Sequence, residues 1–397
     1  MLSTTVAALC VAGGALLVPA PVTAGATTAV ATTTVATPTA VKVTPGVGAV
    51  TVSWGAVEGA DETFTVTSSP AGTGCSVIDE SSCTIVDTSS KPYAFTVVAS
   101  EPGATSSAPS APTAPLAPHL VLVVAGQSNA NGYESYAVDP WTGIDYMAAP
   151  YTNGADSHDL LTWLPWSVLQ GDGATPAPLD SPQQVVISGQ TFTIFGPEIG
   201  LARQIWADTG RAVTIVKDAY PGTSLAVNWD PKRKGTAPDG LFDTMVANVK
   251  ATMAADAAAG QFDVLGGFYW YQGETDVTKL GWAAKYQSRL EAFIEDLRAD
   301  LPMSPTAPVA LAKQDLTGYT AYLYSTGALN ARWDEKFLEG NTEVRAADDW
   351  AVANMPDVVE VDTYGMARVA PLDIHLSNVS QLALGEELAK ATEKLFP

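Results

Sequence analysis

Leu120-Val121-Leu122-Val123-Val124-Ala125-Gly126-Gln127-Ser128-Asn129 is the stretch from which the fold can be read. Its apolar run has no polar alternation and stops at a glycine, the pattern of a strand buried on both faces. Such strands belong to parallel sheets covered by helices, and open sheets of that kind place their chemistry just beyond the carboxyl ends of the strands. Ser128 stands at such an end.

Working outward, similar runs recur at Ala212 to Asp218, Val264 to Tyr271, Val309 to Ala312 and Val358 to Val361. Between them, Leu241, Met245, Val249 and Met253 recur every four residues, and Tyr286, Leu290, Phe293 and Leu297 follow the same face rule. Both sets describe helices with one buried face and are given packing roles only. Alternating strands and helices predict a parallel sheet with helices on both sides. The stretch from Gly132 to about Thr193 is rich in Gly, Pro and aromatic residues and has little periodicity. A loop of that length within a compact domain usually carries function, so it is expected to shape a substrate cleft.

Upstream the texture differs. Val6 to Val18 is apolar, too short to span a bilayer and followed by small residues around Ala24 and Ala26, so residues 1–26 read as a secretory signal peptide, although no Lys or Arg precedes the run. Cys10 lies inside it without the surroundings of a lipid-attachment signal. Residues 27–38 are an Ala/Thr-rich spacer. From 39 to 101 the pattern alternates, with Val50, Val52 and Trp54 on one face, then Phe64 and Val66, then Tyr93, Phe95, Val97 and Ala99, which predicts a small all-β domain. Cys75 and Cys83 lie close together there, and in an exported protein they favour a local disulfide worth about 2 kcal/mol. Residues 102–118, with prolines at 102, 109, 112, 115 and 118, read as a semi-rigid extended linker. The domain carrying the chemistry then spans 119–397.

The 397 residues suffice for two domains, and the formal charge of −22 repels phosphate backbones and anionic headgroups. Nucleic acid is thereby disfavoured as a partner, as is a membrane once the signal is removed. A neutral substrate such as a polysaccharide suits this surface.

A serine hydroxyl needs an adjacent base, and the base needs an acceptor on its far nitrogen. The chain has 3 histidines, which shortens the search. His119 opens a strand and His158 sits among aspartates in the long loop, whereas His375 follows Asp373 by two positions and precedes a helix beginning near Ser377. Ser128, His375 and Asp373 are therefore the candidate nucleophile, base and partner. Three dispersed histidines argue against a catalytic zinc site, and no cofactor or metal is implied. The backbone N–H groups of Ser128 and Gly222 and the side-chain amide of Gln272 are candidate donors to an oxyanion.

Together, the 123–129 block, Phe195-Gly196-Pro197-Glu198, Gly222-Thr223-Ser224-Leu225, Trp270-Tyr271-Gln272-Gly273-Glu274-Thr275-Asp276 and Asp373-Ile374-His375-Leu376 resemble the ordered blocks of the SGNH hydrolase superfamily. The nearest branch is the sialate O-acetylesterase-like group that includes carbohydrate esterase family 6. The resemblance covers about residues 119 to 397. It departs at Pro221, where a glycine is common, and at Ala130, where methionine is. It implies a three-layer α/β/α flavodoxin-like parallel sheet, preceded here by the small sandwich, whose strands at 50–54 and 93–100 resemble a fibronectin type III module. It further implies Ser128 as nucleophile, His375 as base, Asp373 as its partner and Ser128, Gly222 and Gln272 as the oxyanion hole, with Glu274 and Asn129 in support. The expected protein is a secreted or cell-surface serine esterase that removes O-acetyl groups from a carbohydrate such as xylan or a sialic acid, with weak cell-wall or polysaccharide contact through the β module. The alternatives are a related lipase or esterase on other esters, and an inactive carbohydrate-binding protein.

Overall fold

The computed structural model describes residues 33–57, 61–86, 91–138, 143–145, 160–163, 177–178, 183–187, 190–235, 239–303, 307–317, 331–370 and 373–396. The expected signal peptide with Cys10, most of the spacer, and His158 lie outside the described residues.

Seven strands build one sheet: β7 (His119–Gly126), β8 (Leu160–Trp163), β9 (Ala177–Pro178), β12 (Val213–Ala219), β13 (Asp263–Tyr271), β14 (Val309–Lys313) and β15 (Val358–Asp362). Their spatial order is β15-β14-β13-β7-β12-β8-β9. All neighbours are parallel except β8 and β9. Counted along the chain, the five strands read from the sequence take the order 2-1-3-4-5, which reverses direction between β7 and β13. Ligands in such sheets sit at that reversal, because the loops leaving the two strands diverge and open a crevice.

Alternate residues of β7 feed two cores. Leu120, Leu122 and Val124 pack with Ile199, Leu201 and Ile205 of α2 (Glu198–Thr209) and Leu384 and Leu388 of α8 (Asn378–Thr392). Val121, Val123 and Ala125 face the stripes of α3 (Leu241–Ala258) and α6 (Tyr286–Asp300) and the buried side of α7 (Ala331–Asn354). The result is the three-layer α/β/α arrangement expected from the buried runs, with strand ends within a residue or two of their expected places. The stretch from 132 to 193 is not wholly irregular. Beyond β8 and β9 it contains a hairpin of β10 (Gln183–Ile187) and β11 (Gln190–Ile194). What it contributes to a substrate cleft lies largely outside the described residues.

The N-terminal module has two antiparallel sheets. One orders β1 (Lys42–Gly46), β2 (Ala49–Ser53) and β5 (Ser82–Val86); the other orders β4 (Gly74–Ile78), β3 (Thr63–Ser69) and β6 (Ala94–Ser100). The alternating residues named above point inward and are buried, with the rings of Trp54 and Phe64 5.1 Å apart. A disulfide joins Cys75 of β4 to Cys83 of β5 and so ties one sheet to the other.

The Pro-rich segment after this module does more than connect. It repeats every three residues, Ser107-Ala-Pro, Ser110-Ala-Pro, Thr113-Ala-Pro, Leu116-Ala-Pro; the first three leading residues land on the edge of β6 and Leu116 pairs with Tyr93 just before it. Ser107, Ser110 and Thr113 donate their N–H to the carbonyls of Ala99, Val97 and Phe95. Their hydroxyls accept the N–H of those same β6 residues at 2.9–3.0 Å. Hydroxyl side chains thus serve where a partner strand would offer carbonyls, and the exposed edge is covered. Because Ser110 is buried, Ser110→Ala strands the Val97 N–H and should lower stability by about 1–3 kcal/mol. Denaturant unfolding checks this, and an unchanged midpoint would mean the edge contact carries no weight.

Candidate active site

β7 ends at Gly126, where φ is +139° and a Cβ would lie 2.0 Å from the carbonyl oxygen of Tyr271 on β13. Only glycine tolerates so close an approach, and the approach brings together the chain segments leaving β7 and β13. The first segment enters the single turn α1 (Ser128–Asn131), and the second enters α4 (Glu274–Val277).

Ser128, Gly222, Glu274 and His375 line one cavity of about 360 Å³, together with Gln127, Tyr133, Pro221, Thr275, Thr278, Leu316, Phe337 and Ile374. A larger cavity, about 450 Å³, lies in the β module under Trp54 and holds no nucleophile–base pair. Among the described residues, neither the N–H of Ser128 nor that of Gly222 meets a protein acceptor. Gly222 has φ +74°, a left-handed turn that glycine enters without strain. Pro221, the departure from the resemblance, leaves that N–H in place.

Gln272 differs from expectation. Its Nε2 lies 2.7 Å from Asp276 Oδ2, 3.2 Å from Gln127 Oε1 and 3.2 Å from the Thr223 carbonyl, and its Oε1 accepts the Tyr286 hydroxyl at 3.0 Å. Both amide hydrogens are engaged within the protein, so Gln272 braces the crevice and has no hydrogen left for an oxyanion. Gln127, on the neighbouring segment, lines the cavity beside Ser128. Its Oε1 accepts from Gln272 Nε2 and from the Thr275 N–H at 3.2 Å, which fixes the amide by its oxygen. Its NH₂ has no protein acceptor among the described residues, and the side chain lines the cavity. Tyr286, read from its stripe as a packing residue, is also a hydrogen-bonding brace. Asp276 accepts the N–H groups of Leu225 and Ala226 at 2.8 and 3.0 Å and so fixes the loop that carries Gly222. Burial pushes its carboxyl upward, against those hydrogen bonds.

Asn129 performs the equivalent task for the histidine. Its Nδ2 donates to Glu274 Oε1 at 2.8 Å and to the Ile374 carbonyl at 3.0 Å, while its Oδ1 accepts the Leu376 N–H at 2.9 Å. The peptide groups on both sides of His375 are thereby tied to the residue after Ser128. Glu274 is fully buried, and burial raises its carboxyl above the ordinary value against the pull of the Asn129 hydrogen bond. Its contacts are those of a support.

His375 Nδ1 lies 3.3 Å from Asp373 Oδ1, the carboxylate anticipated from sequence. A second carboxylate, Glu134 Oε2, is closer, at 2.9 Å in hydrogen-bonding geometry. Asp373 Oδ1 meanwhile accepts the backbone N–H of His375 at 2.9 Å. Burial disfavours the imidazolium, but Asp373 and Glu134 outweigh it and push the ring up to about 9. Glu134, Asp373 and His375 form a compact acid–histidine cluster, in which both carboxylates address the same ring nitrogen. No sequence signal near His375 indicated Glu134, which lies 241 positions earlier. His119 is elsewhere: at the start of β7 its Nε2 meets Thr214 Oγ1 at 2.9 Å, and burial lowers its proton affinity.

A hydroxyl, an imidazole backed by carboxylates and unpaired N–H donors around one cavity are the parts from which ester hydrolysis is built. The three-layer fold with this crevice is that of a carboxylic ester hydrolase. Residues 118–394 match the family model described as "Carbohydrate esterase, sialic acid-specific acetylesterase", and the chain belongs to that family. Among solved structures it is similar to a protein from Arabidopsis thaliana at 21% identity, over 70% of this chain and 100% of that one, with a TM-score of 0.49. It is similar to a carbohydrate acetylesterase from Xanthomonas citri at 18% identity, over 90% and 75% of the two chains, with a TM-score of 0.46. NanS matches at 15% identity over 70% and 97%, also with a TM-score of 0.46. No curated protein sequence matches significantly.

Asn129→Ala removes three hydrogen bonds and leaves the buried Glu274 without its donor. Because misplacement of a reacting group by about 1 Å costs about 10²-fold, kcat on a soluble acetyl ester should fall at least that far. Steady-state kinetics on the folded variant reads this, and a kcat within twofold of the parent would show that the histidine loop holds itself.

Proposed function

We propose that this chain removes O-acetyl groups from carbohydrate outside the cell, acting on an acetylated polysaccharide such as xylan or on sialic acid through an acetyl-Ser128 intermediate. The observation that carries the reading is the convergence of Ser128 and His375 on one cavity beside the N–H groups of Ser128 and Gly222, which meet no acceptor among the described residues. Membership of a carbohydrate esterase family supports the substrate class.

In this mechanism His375 Nε2 takes the hydroxyl proton as Ser128 Oγ bonds to the acetyl carbonyl carbon. The resulting oxyanion is met by the N–H groups of Ser128 and Gly222 and by the Gln127 NH₂. The imidazolium, stabilised by Asp373, returns its proton to the sugar oxygen as the carbon–oxygen bond breaks. Water then attacks the acetyl group with His375 again as base, releasing acetate and restoring the serine. All groups come from the protein, and the scheme calls on no cofactor. The apolar wall of Leu316, Phe337 and Ile374 suits a short acyl group. The β module fits a fibronectin type III-like spacer or weak adhesion domain, and no helix of the described residues is long and apolar enough to cross a membrane.

Ser128→Ala should abolish acetate release from acetylated xylan and sialosides and abolish labelling by a fluorophosphonate; wild-type release by this variant would sink the mechanism. Gln127→Glu keeps the acceptor that holds Gln272 and Thr275 but replaces the donor with an anion, so kcat should drop about 10²–10³-fold. An unaffected kcat would remove Gln127 from the oxyanion site.

The pH dependence follows from His375. Its neutral form is the base, and its affinity for a proton is pushed up to about 9. Below that value kcat/KM should rise about tenfold per pH unit, levelling off above it. A profile already flat at pH 7 would contradict the assignment.

A further inference from the structure

We propose that Glu134 is a second carboxylate partner of His375, sharing the Nδ1 proton with Asp373 and setting the charge balance of the base. This rests on the reading of His375 as the general base.

Geometry favours Glu134 over a chance surface contact. Its Oε2 stands 2.9 Å from Nδ1, nearer than Asp373 Oδ1, which already accepts the His375 main-chain N–H. The Glu134 backbone is held at φ +66°, a left-handed conformation that non-glycine residues seldom adopt and that persists only where surrounding contacts enforce it. Those contacts are visible on both sides. The Tyr133 ring packs 5.1 Å from the imidazole, and the Ser135 hydroxyl donates to the Leu376 carbonyl at 2.9 Å. Just beyond, Asn378 Nδ2 donates to the Tyr136 carbonyl at 2.6 Å. The turn after α1 is thus fastened along the loop that carries His375, with Glu134 aimed at the ring. Gly132, which opens the turn, leaves no room for a Cβ, which would lie 2.0 Å from the Phe195 carbonyl oxygen.

Among the described residues, the charged and titratable groups around the ring are Glu134, Asp373, the buried Glu274, the Tyr133 phenol and Arg368, whose Nη1 donates to the Ile374 carbonyl at 2.9 Å. Three carboxyls against one guanidinium favour the imidazolium. Two carboxylates at Nδ1 lower the energy of the transition state, in which the ring carries a proton it lacks in the resting base. They also raise the pH at which that resting base becomes available. Asp373 alone would leave the ring less basic and the transition state less stabilised.

The test compares E134Q, E134D and D373N by two readouts. Histidine-selective ¹³C NMR follows the titration of His375, assigned with H375N, and does not depend on what Ser128 does. In E134Q the ring should titrate about one pH unit lower or more, as expected for loss of an adjacent opposite charge. The acid limb of kcat/KM on a soluble acetyl ester should move by the same amount, with the high-pH plateau falling about tenfold. E134D retains the charge and should recover at least half of the shift. If E134Q leaves both the NMR titration and the acid limb at their original positions while D373N moves them, Glu134 is a structural turn residue and the proposal falls. Should E134Q fold poorly, E134A decides in the same titration, since a ring that titrates in E134A as it does in the parent while D373N lowers it also overturns the proposal. A shifted NMR titration in E134Q alongside full activity of Ser128→Ala would leave the carboxylate pairing standing and overturn the reaction assigned to the site.

Discussion

The side chain of Asn129 is the interaction on which the rest of the site depends. With three hydrogen bonds it joins α1, the buried carboxyl of Glu274 and the peptide groups flanking His375. These pieces come from opposite ends of the catalytic domain, and each is otherwise a loop or a single turn. Because an amide offers a planar donor and acceptor at fixed separation, it locks the histidine loop against the turn that carries Ser128. Gln381 Nε2, reaching from α8 to the Asn129 carbonyl at 3.0 Å, ties the same point to the helix behind it. Precision at the site is thereby inherited from β7, the central strand of the sheet.

A second layer of buried polar groups supports this clamp. Lys217 of β12 reaches the Asn131 carbonyl at 2.9 Å and Glu198 Oε1 at 2.7 Å, with both charged side chains removed from solvent. Burial depresses the ammonium of Lys217, and Glu198 opposes that effect. Breaking such a pair would expose one partner to an uncompensated interior. On the other flank, Asp276, Gln272 and Tyr286 form a chain from α6 through α4 to the Gly222 loop. Polar networks of this kind restrict the backbone to one arrangement, which is what a site made from short loops requires.

Much of this was legible in the chain. Uninterrupted apolar runs report strands buried on two faces, and four-residue stripes report helices, because burial depends on local spacing alone. The scarcity of histidine singled out His375, and the order of the motif blocks singled out Ser128 and Gly222. Other features were not legible, for two physical reasons. An amide gives no sign in sequence of which way its hydrogens point, so the structure alone shows that the NH₂ of Gln272 is turned to Asp276, Gln127 and Thr223. A carboxylate's partner is set by distance in space, so Glu134 stayed hidden behind Asp373, its neighbour in sequence. The Ser-Ala-Pro repeat shows the same contrast: proline predicts an extended chain, while the hydroxyls acquire meaning only against the edge of β6.

By itself the sequence determined the sheet, its covering helices, the all-β module and the kinds of side chain available for ester chemistry, since these follow from periodicity, composition and motif order. Tertiary structure alone decided which of those side chains are spent holding the crevice and which face it. It placed Glu134 beside the imidazole and turned Gln272 away. The reason is that hydrogen-bond direction and the balance of buried charge are properties of converging segments, and the segments that converge here are up to 252 residues apart.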